Sequence, residues 1–216
     1  MGAIAEKCRR YGISWVAVKA ADGSVLWSQF RRALMLRELG VKVFSWSYNY
    51  GRGDEASVVN AALASGSDGH IFDIEAEFAR APNPHDAARR LFDHVQRAHP
   101  DKPLAYSPLP VVGNFPQLPY NECNSWTSAV VPQFYTKALG TGSNYPLERL
   151  MRIWREWQSR WLTPARAITP ALQGYGGQTA MNLGAEASVC MTEYGGFSVW
   201  RWGTLTPAMW SAIGGA

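Results

Sequence analysis

The densest concentration of acid–base chemistry in the chain is the run Asp68-Gly69-His70-Ile71-Phe72-Asp73-Ile74-Glu75-Ala76-Glu77. Side chains alternate faces along a strand, so Asp73 and Glu75 point one way while Phe72 and Ile74 point the other. Glu77 keeps that phase only if the strand runs on, and Phe78-Ala79-Arg80 reads as loop. Two carboxylates about 7 Å apart along a strand repel, which raises the pKa of one of them toward neutrality. A carboxyl that stays protonated at working pH can hand its proton to a leaving oxygen, which is general acid chemistry. The same spacing also fits a pair of strand-end acids in salt bridges to Lys19 or a nearby arginine.

Aromatic and amide side chains gather at the C-terminal ends of the other β-like runs. Trp46, Tyr48, Tyr106, Gln133 and Tyr135 fall at such ends in the first two thirds of the chain. Gln173, Tyr175, Trp200 and Trp202 do so in the last third. Aromatic faces stack on the C–H faces of sugar rings, and hydroxyl and amide groups bond their hydroxyls. With 10 tryptophans in 216 residues, the pattern favours a carbohydrate groove over a small phosphorylated ligand.

Asp68-Gly69-x-x-x-Asp73-x-Glu75 resembles the strand motif of glycoside hydrolase family 18, the chitinases and plant-type chitinase/lysozymes. Pro132-Gln133-Phe134-Tyr135 resembles the Gln-Phe-Tyr strand of the plant-type branch, and Gly195-Gly196-Phe197-Ser198-Val199-Trp200 its closing Gly-Gly-x-x-x-Trp strand. The three pieces come in family order and frame about 130 residues, from 68 to 200. The resemblance implies Glu75 as general acid/base and Asp73 as its partner, holding the N-acetyl group whose carbonyl oxygen attacks the anomeric carbon. That substrate assistance departs from the usual two-carboxylate scheme. It further implies that Tyr135 bonds the same acetamido group and that Trp200 floors the reacting sugar. The family often has another Asp two residues before Asp73, where this chain has Ile71.

The Asp-x-Glu strand is also similar to that of the family 25 lysozymes, and Val18-Lys19-Ala20-Ala21-Asp22-Gly23 resembles their Ile-Lys-Ala-Thr-Glu-Gly strand end. That group relies on a first-strand Asp, and no equivalent precedes Ser14. Both resemblances imply a β/α barrel, the Asp73/Glu75 pair and an N-acetylated amino-sugar polymer, peptidoglycan or chitin. They imply different mechanisms. A non-catalytic barrel, binding glycan or serving in a virion or cell-surface assembly, is the alternative from another functional class.

Other polar groups read as structural. His70 has the opposite phase to Asp73 and is expected to pack against a helix. His85, His94 and His99 show no zinc spacing, so neither metal nor cofactor is expected. Ser45 and Ser47 lack a nucleophile elbow and are expected to fill the barrel interior.

These residues need a scaffold that brings strand ends together. Seven β-like runs occur, at Ser14–Lys19, Val41–Tyr48, Gly69–Glu75, Leu104–Ser107, Ala129–Tyr135, Ala167–Gln173 and Phe197–Trp202. Helical patterns separate most of them, over 28–39 (ending at Gly40), 54–65, 85–98, 147–161 and 178–188, with another at 206–213. Residues 108–128, rich in proline, read as a long loop with one helical turn. Strict alternation of strand and helix predicts parallel strands. An open doubly wound sheet would carry a glycine-rich phosphate loop after its first strand, and Lys19-Ala20-Ala21-Asp22-Gly23-Ser24 is no such loop. A TIM-like (β/α) barrel with its site on the ring of strand ends is the expected α/β architecture. Pro132 inside the fifth strand deletes a ladder hydrogen bond, which requires a bulge or a break there.

Composition sets the outer limits. The chain is 47% hydrophobic and 18% charged, which excludes disorder. Its length predicts a single domain over 1–216, yet is short for an eight-fold barrel of about 250 residues. The net charge is +4, with basic residues scattered over helix-like stretches, so a nucleic-acid partner is not expected. Cys8, Cys123 and Cys190 form no Cys-x-x-Cys pair and are expected as buried thiols. The first residues lack a signal-peptide layout and no run of 18 apolar residues occurs, so a soluble protein is expected, either cytoplasmic or a released phage lysin. Ala3 to Arg10 reads as a helix with no strand before it, which predicts seven β/α units with the barrel's usual first strand absent.

Overall fold

A computed structural model describes residues 1–137 and 145–215. In chain order the elements are α1 (Gly2–Arg10), β1 (Trp15–Asp22), β2 (Val25–Leu26), α2 (Phe30–Ala33), β3 (Lys42–Asn49), α3 (Glu55–Ala64), β4 (Gly69–Ile74), α4 (Ala76–Ala79), α5 (Pro84–Ala98) and β5 (Leu104–Pro108). They continue as α6 (Tyr120–Trp126), β6 (Ala129–Val130), β7 (Gln133–Phe134), α7 (Leu147–Trp161), β8 (Ala167–Ile168), β9 (Ala171–Gln173), α8 (Ala180–Tyr194), β10 (Ser198–Trp200) and α9 (Pro207–Ile213). Every strand pairing is parallel except the short β1–β2 hairpin.

The hydrogen-bonded order is β2-β1-β3-β4-β5-β6-β8 in one sheet and β10-β9-β7 in the other. The division is made by proline. Pro132 separates β6 from β7, and Pro170 separates β8 from β9. Proline has no N–H to give a ladder, but its carbonyl still accepts, and Ala171 N–H bonds Pro132 O at 2.9 Å while Ser198 N–H bonds Pro170 O at 2.8 Å. The fifth and sixth strands of the sequence reading are therefore each one strand broken at a proline, and all seven expected strand positions are filled.

The barrel is not closed among the described residues. Beyond β3, β1 pairs only with β2, at Ala21–Leu26 and Asp22–Val25, and β10 pairs only with β9. Helix α1 leads directly into β1. It packs Ala5 and Cys8 against Phe30, Leu36, Val41 and Val43.

Alternation along the strands sorts the core into two layers. Phe72, Tyr106, Phe134 and Leu172 face outward, onto Phe92, Leu150, Trp154 and Leu183 of the surrounding helices. Ile71, Val131 and Ala171 face inward, with Trp15, Trp46, Ala105 and Tyr135 against them. Register fixes this assignment: Phe72 pairs with Tyr106 and Phe134 with Leu172. Close approach also matters at Gly69, where a Cβ would lie 2.5 Å from Pro103 O and 2.7 Å from the Phe44 ring.

Several local expectations change. Residues 108–128 are more ordered than one turn, holding a 3-10 turn at Val112–Asn114 and then α6. Burial of Tyr120, Cys123 and Asn124 overrides the proline-rich composition there. Helix α8 continues to Tyr194 and ends at Gly195, whose φ of +70° suits a left-handed cap. Ser45 and Ser47 do not fill the barrel; they lie on its outer side, fully buried beside His70. The three cysteines are buried free thiols. No helix among the described residues is long and apolar enough to cross a membrane.

Candidate functional site

The carboxylate pair sits where β4 gives way to α4. Asp73 is on the strand's inner row, and Glu75 occupies the N-cap of α4 in extended conformation. Gln133, at the start of β7 and almost wholly buried, turns its amide to both acids. Its Nε2 donates to Asp73 Oδ1 at 2.9 Å and to Glu75 Oε1 at 2.7 Å. One donor from β7 thus ties together the two acids of the β4–α4 junction.

Burial and the adjoining Glu75 carboxylate raise the Asp73 pKa well above the usual carboxyl range, against the opposing pull of Lys19 and Gln133. Ile71, two residues earlier on the same inner row, gives it an apolar floor. The expected carboxylate repulsion is therefore present, but desolvation is its larger companion, and the raised group is Asp73.

Tyr135 and Tyr175 close on this pair from β7 and from the loop after β9, with ring centroids 5.9 Å apart at 77°. Burial raises the Tyr135 hydroxyl well above its usual pKa, with the Asp73 and Glu75 charges adding to it. Burial and Glu75 do the same to Tyr175, so both hydroxyls keep their protons and serve as donors. Trp46 and Trp200 stand beside them in an edge-to-face contact, centroids 5.1 Å apart.

A second polar chain runs along the β1–β3 side of the mouth. Lys19 Nζ donates to Asp22 Oδ2 at 2.6 Å, and the Tyr50 hydroxyl donates to Asp22 Oδ1 at 2.8 Å. Lys19, then Tyr50, hold the Asp22 carboxyl below its usual range despite some burial. Lys19 therefore pairs with Asp22 rather than bridging the Asp73/Glu75 pair. The Tyr48 hydroxyl donates to Glu77 Oε2, which lowers the Glu77 pKa. Glu77 has left the strand phase, but for helix α4, where the sequence reading expects a loop over Phe78-Ala79-Arg80.

Three expected contact residues need correction. Tyr106 does not face the cleft: it pairs with Phe72 and is 1% exposed, in the outer core. Ser107, paired with Asp73, takes the inward place instead. Trp202 lies beyond β10 and packs on Trp210, centroids 4.7 Å apart, with Lys7 of α1 over both rings. Gln173 faces inward but is buried, and its amide is spent on backbone: Oε1 accepts from Lys137 N–H at 2.9 Å and Nε2 donates to Tyr175 O at 2.8 Å. It shapes the Tyr175 loop and has no free arm for a ligand. Tyr48 keeps its ring at the mouth, in edge contact with Tyr50, with its hydroxyl committed to Glu77.

The sequence reading missed Trp27. The Asp22-Gly23 pair followed by the apolar Val25-Leu26-Trp27 is the signal for a hairpin that would have found it. Trp27 places its ring centroid 4.4 Å from Lys19 Nζ, while Trp46 lies 5.1 Å away on the same ammonium.

No protein-family model matches the sequence, and no curated protein matches it. Solved structures do match the fold. A chitinase-like agglutinin from Robinia pseudoacacia superposes with a TM-score of 0.68 at 11% identity, covering 98% of this chain and 95% of that one. Concanavalin B gives 0.63 at 13% identity, covering 97% and 92%. A family 18 chitinase from Crocus vernus gives 0.53 at 16% identity, covering 84% and 72%. The fold is thus a β/α barrel like that of these structures, with its ring of strands open among the described residues.

Proposed function

We propose that this barrel binds and cleaves β-1,4-linked N-acetylated amino-sugar polymers, chitin or peptidoglycan. The observation that carries the reading is the Gln133 amide bonded at once to Asp73 and Glu75, because it makes two strand-end acids into one unit. Burial keeps a proton on Asp73, and Glu75 at the mouth of the barrel is its adjacent acceptor. Asp73 passes its proton to Glu75, and Glu75 delivers it to the glycosidic oxygen as the acetamido carbonyl oxygen of the substrate bonds to the anomeric carbon and the glycosidic C–O bond breaks. Water then opens that cyclic intermediate and returns a proton to Glu75. Tyr135 donates to the acetamido group, and Trp46 and Trp200 floor the sugars.

A second reading rests on Ile71. Asp73 has this apolar residue below it and, among the described residues, hydrogen-bonds Gln133 and Glu75; a barrel that has lost turnover would keep the aromatic cleft for binding alone. One experiment separates the two: product release and binding are measured on N-acetylglucosamine oligomers and on cell walls, for wild type and Glu75→Gln. Turnover in wild type that disappears in Glu75→Gln while binding persists supports hydrolysis. Binding without turnover in either protein supports the lectin-like reading. Equal turnover in both overturns the role of Glu75, and no binding at all overturns both readings.

A further inference from the structure

The β1–β2 hairpin carries an indole that the cleavage scheme does not use. Trp27 is 41% exposed. Lys19 Nζ covers one part of its ring system at 4.4 Å and lies 5.1 Å from the Trp46 centroid. The two indoles therefore stand within about 10 Å of each other with one cation between them. Trp46 in turn meets Trp200, so Trp46 links the hairpin indole, through Lys19, to the indole of β10. The hairpin is firmly built. Trp27 N–H donates to Ala20 O at 2.8 Å, Gly23 N–H donates to Tyr48 O at 2.9 Å, and Tyr50 grips Asp22. At Gly23, with φ +53°, a Cβ would come within 3.1 Å of the Tyr50 ring. An aromatic surface fixed in advance binds without an ordering cost.

We infer that Trp27, backed by Lys19, is an outlying sugar-stacking position that extends the Trp200–Trp46 floor along the hairpin. The cleft then grips a polysaccharide over several units and engages chains internally, rather than taking a single terminal sugar. The inference rests on the carbohydrate reading above, and continuity with the Trp46–Trp200 floor is what commits the hairpin to a glycan.

Calorimetric titration of the full chain with the dimer and the hexamer of N-acetylglucosamine tests it. Trp27→Ala is expected to weaken hexamer binding about tenfold and leave dimer binding within about twofold. Trp27→Phe, which keeps a stacking ring, should recover most of the hexamer affinity. Equal loss for both ligands, or no loss for either, overturns the outlying position while leaving the carbohydrate reading intact. Sedimentation that shows a wild-type dimer split by Trp27→Ala, with hexamer affinity unchanged, overturns it in favour of a contact between two copies. A wild-type chain that binds neither oligomer overturns the carbohydrate reading and this inference with it.

Discussion

Trp46 and Trp200 meet edge to face, centroids 5.1 Å apart and planes at 82°. They stand on β3 and β10, which belong to different hydrogen-bonded sheets. No backbone ladder joins β1 to β10 among the described residues, so on this side of the barrel side-chain packing takes over the ladder's part. An aromatic pair of this geometry contributes about 0.5–1.5 kcal/mol beyond its buried area.

Truncating either ring should therefore reduce stability by about 1–3 kcal/mol. The double variant is expected to lose less than the two single losses together, because the contact can be lost only once. Urea unfolding of wild type, Trp46→Ala, Trp200→Ala and the double variant checks this. Strict additivity would show that the rings do not hold the two sheets together.

The buried acid at the site should work against folding at neutral pH. Burial and Glu75 raise the Asp73 pKa above its unfolded value, near 3.8. The folded chain then binds this proton more tightly than the unfolded one, so stability falls as pH rises from that value through the raised one. Asp73→Asn removes the titration. It is expected to be more stable than wild type by about 1 kcal/mol at pH 7, with the gain vanishing toward pH 3.8. Denaturation midpoints against pH measure the difference, and a gain that grew toward acid pH would contradict the assignment.

His70 should give the opposite slope. Ser47 Oγ donates to Asn49 Oδ1 at 3.0 Å, so His70 Nε2, 2.8 Å from Ser47 Oγ, carries the ring proton. His70 Nδ1 then accepts from Ser45 Oγ at 2.8 Å. Complete burial pushes this imidazole down to about 3 from its ordinary 6.5. The unfolded chain takes up a proton that the folded chain refuses, so stability is fully present above 6.5 and falls as pH drops toward 3. The loss over that range is on the order of a few kcal/mol. His70→Gln is expected to start about 1–3 kcal/mol lower at pH 7 and to show a shallower acid slope. Parallel acid slopes in the two proteins would place a proton on His70 in the folded state.

Much of the fold is legible because its signals are local. The helix over Leu147–Trp161 has the bounds that its periodicity predicts, and Pro132 marks a real interruption of its strand. Asp73 shares a face with Ile71 because a strand has a period of two, whatever lies around it. The 108–128 stretch misleads for the complementary reason: its prolines argue for loop, while burial of Tyr120 and Cys123 against the core makes α6 hold.

The sequence by itself determined the alternation of strands and helices, the placing of Asp73 and Glu75 at a strand end, and the phase of His70 opposite to Asp73. All of these follow from periodicity within one segment. Only the tertiary structure decided that Tyr106 faces the helices, that Trp202 leaves the mouth for α1, that Gln173 is spent on backbone, and that Gln133 joins the two acids. Alternation says that Tyr106 and Ser107 take opposite faces, but not which face is inside; the pairing of Phe72 with Tyr106 chooses. A one-residue change of register would exchange the two. The contact of Gln133 with Asp73 spans 60 residues of chain, and it exists only because parallel strands bring their ends to one rim.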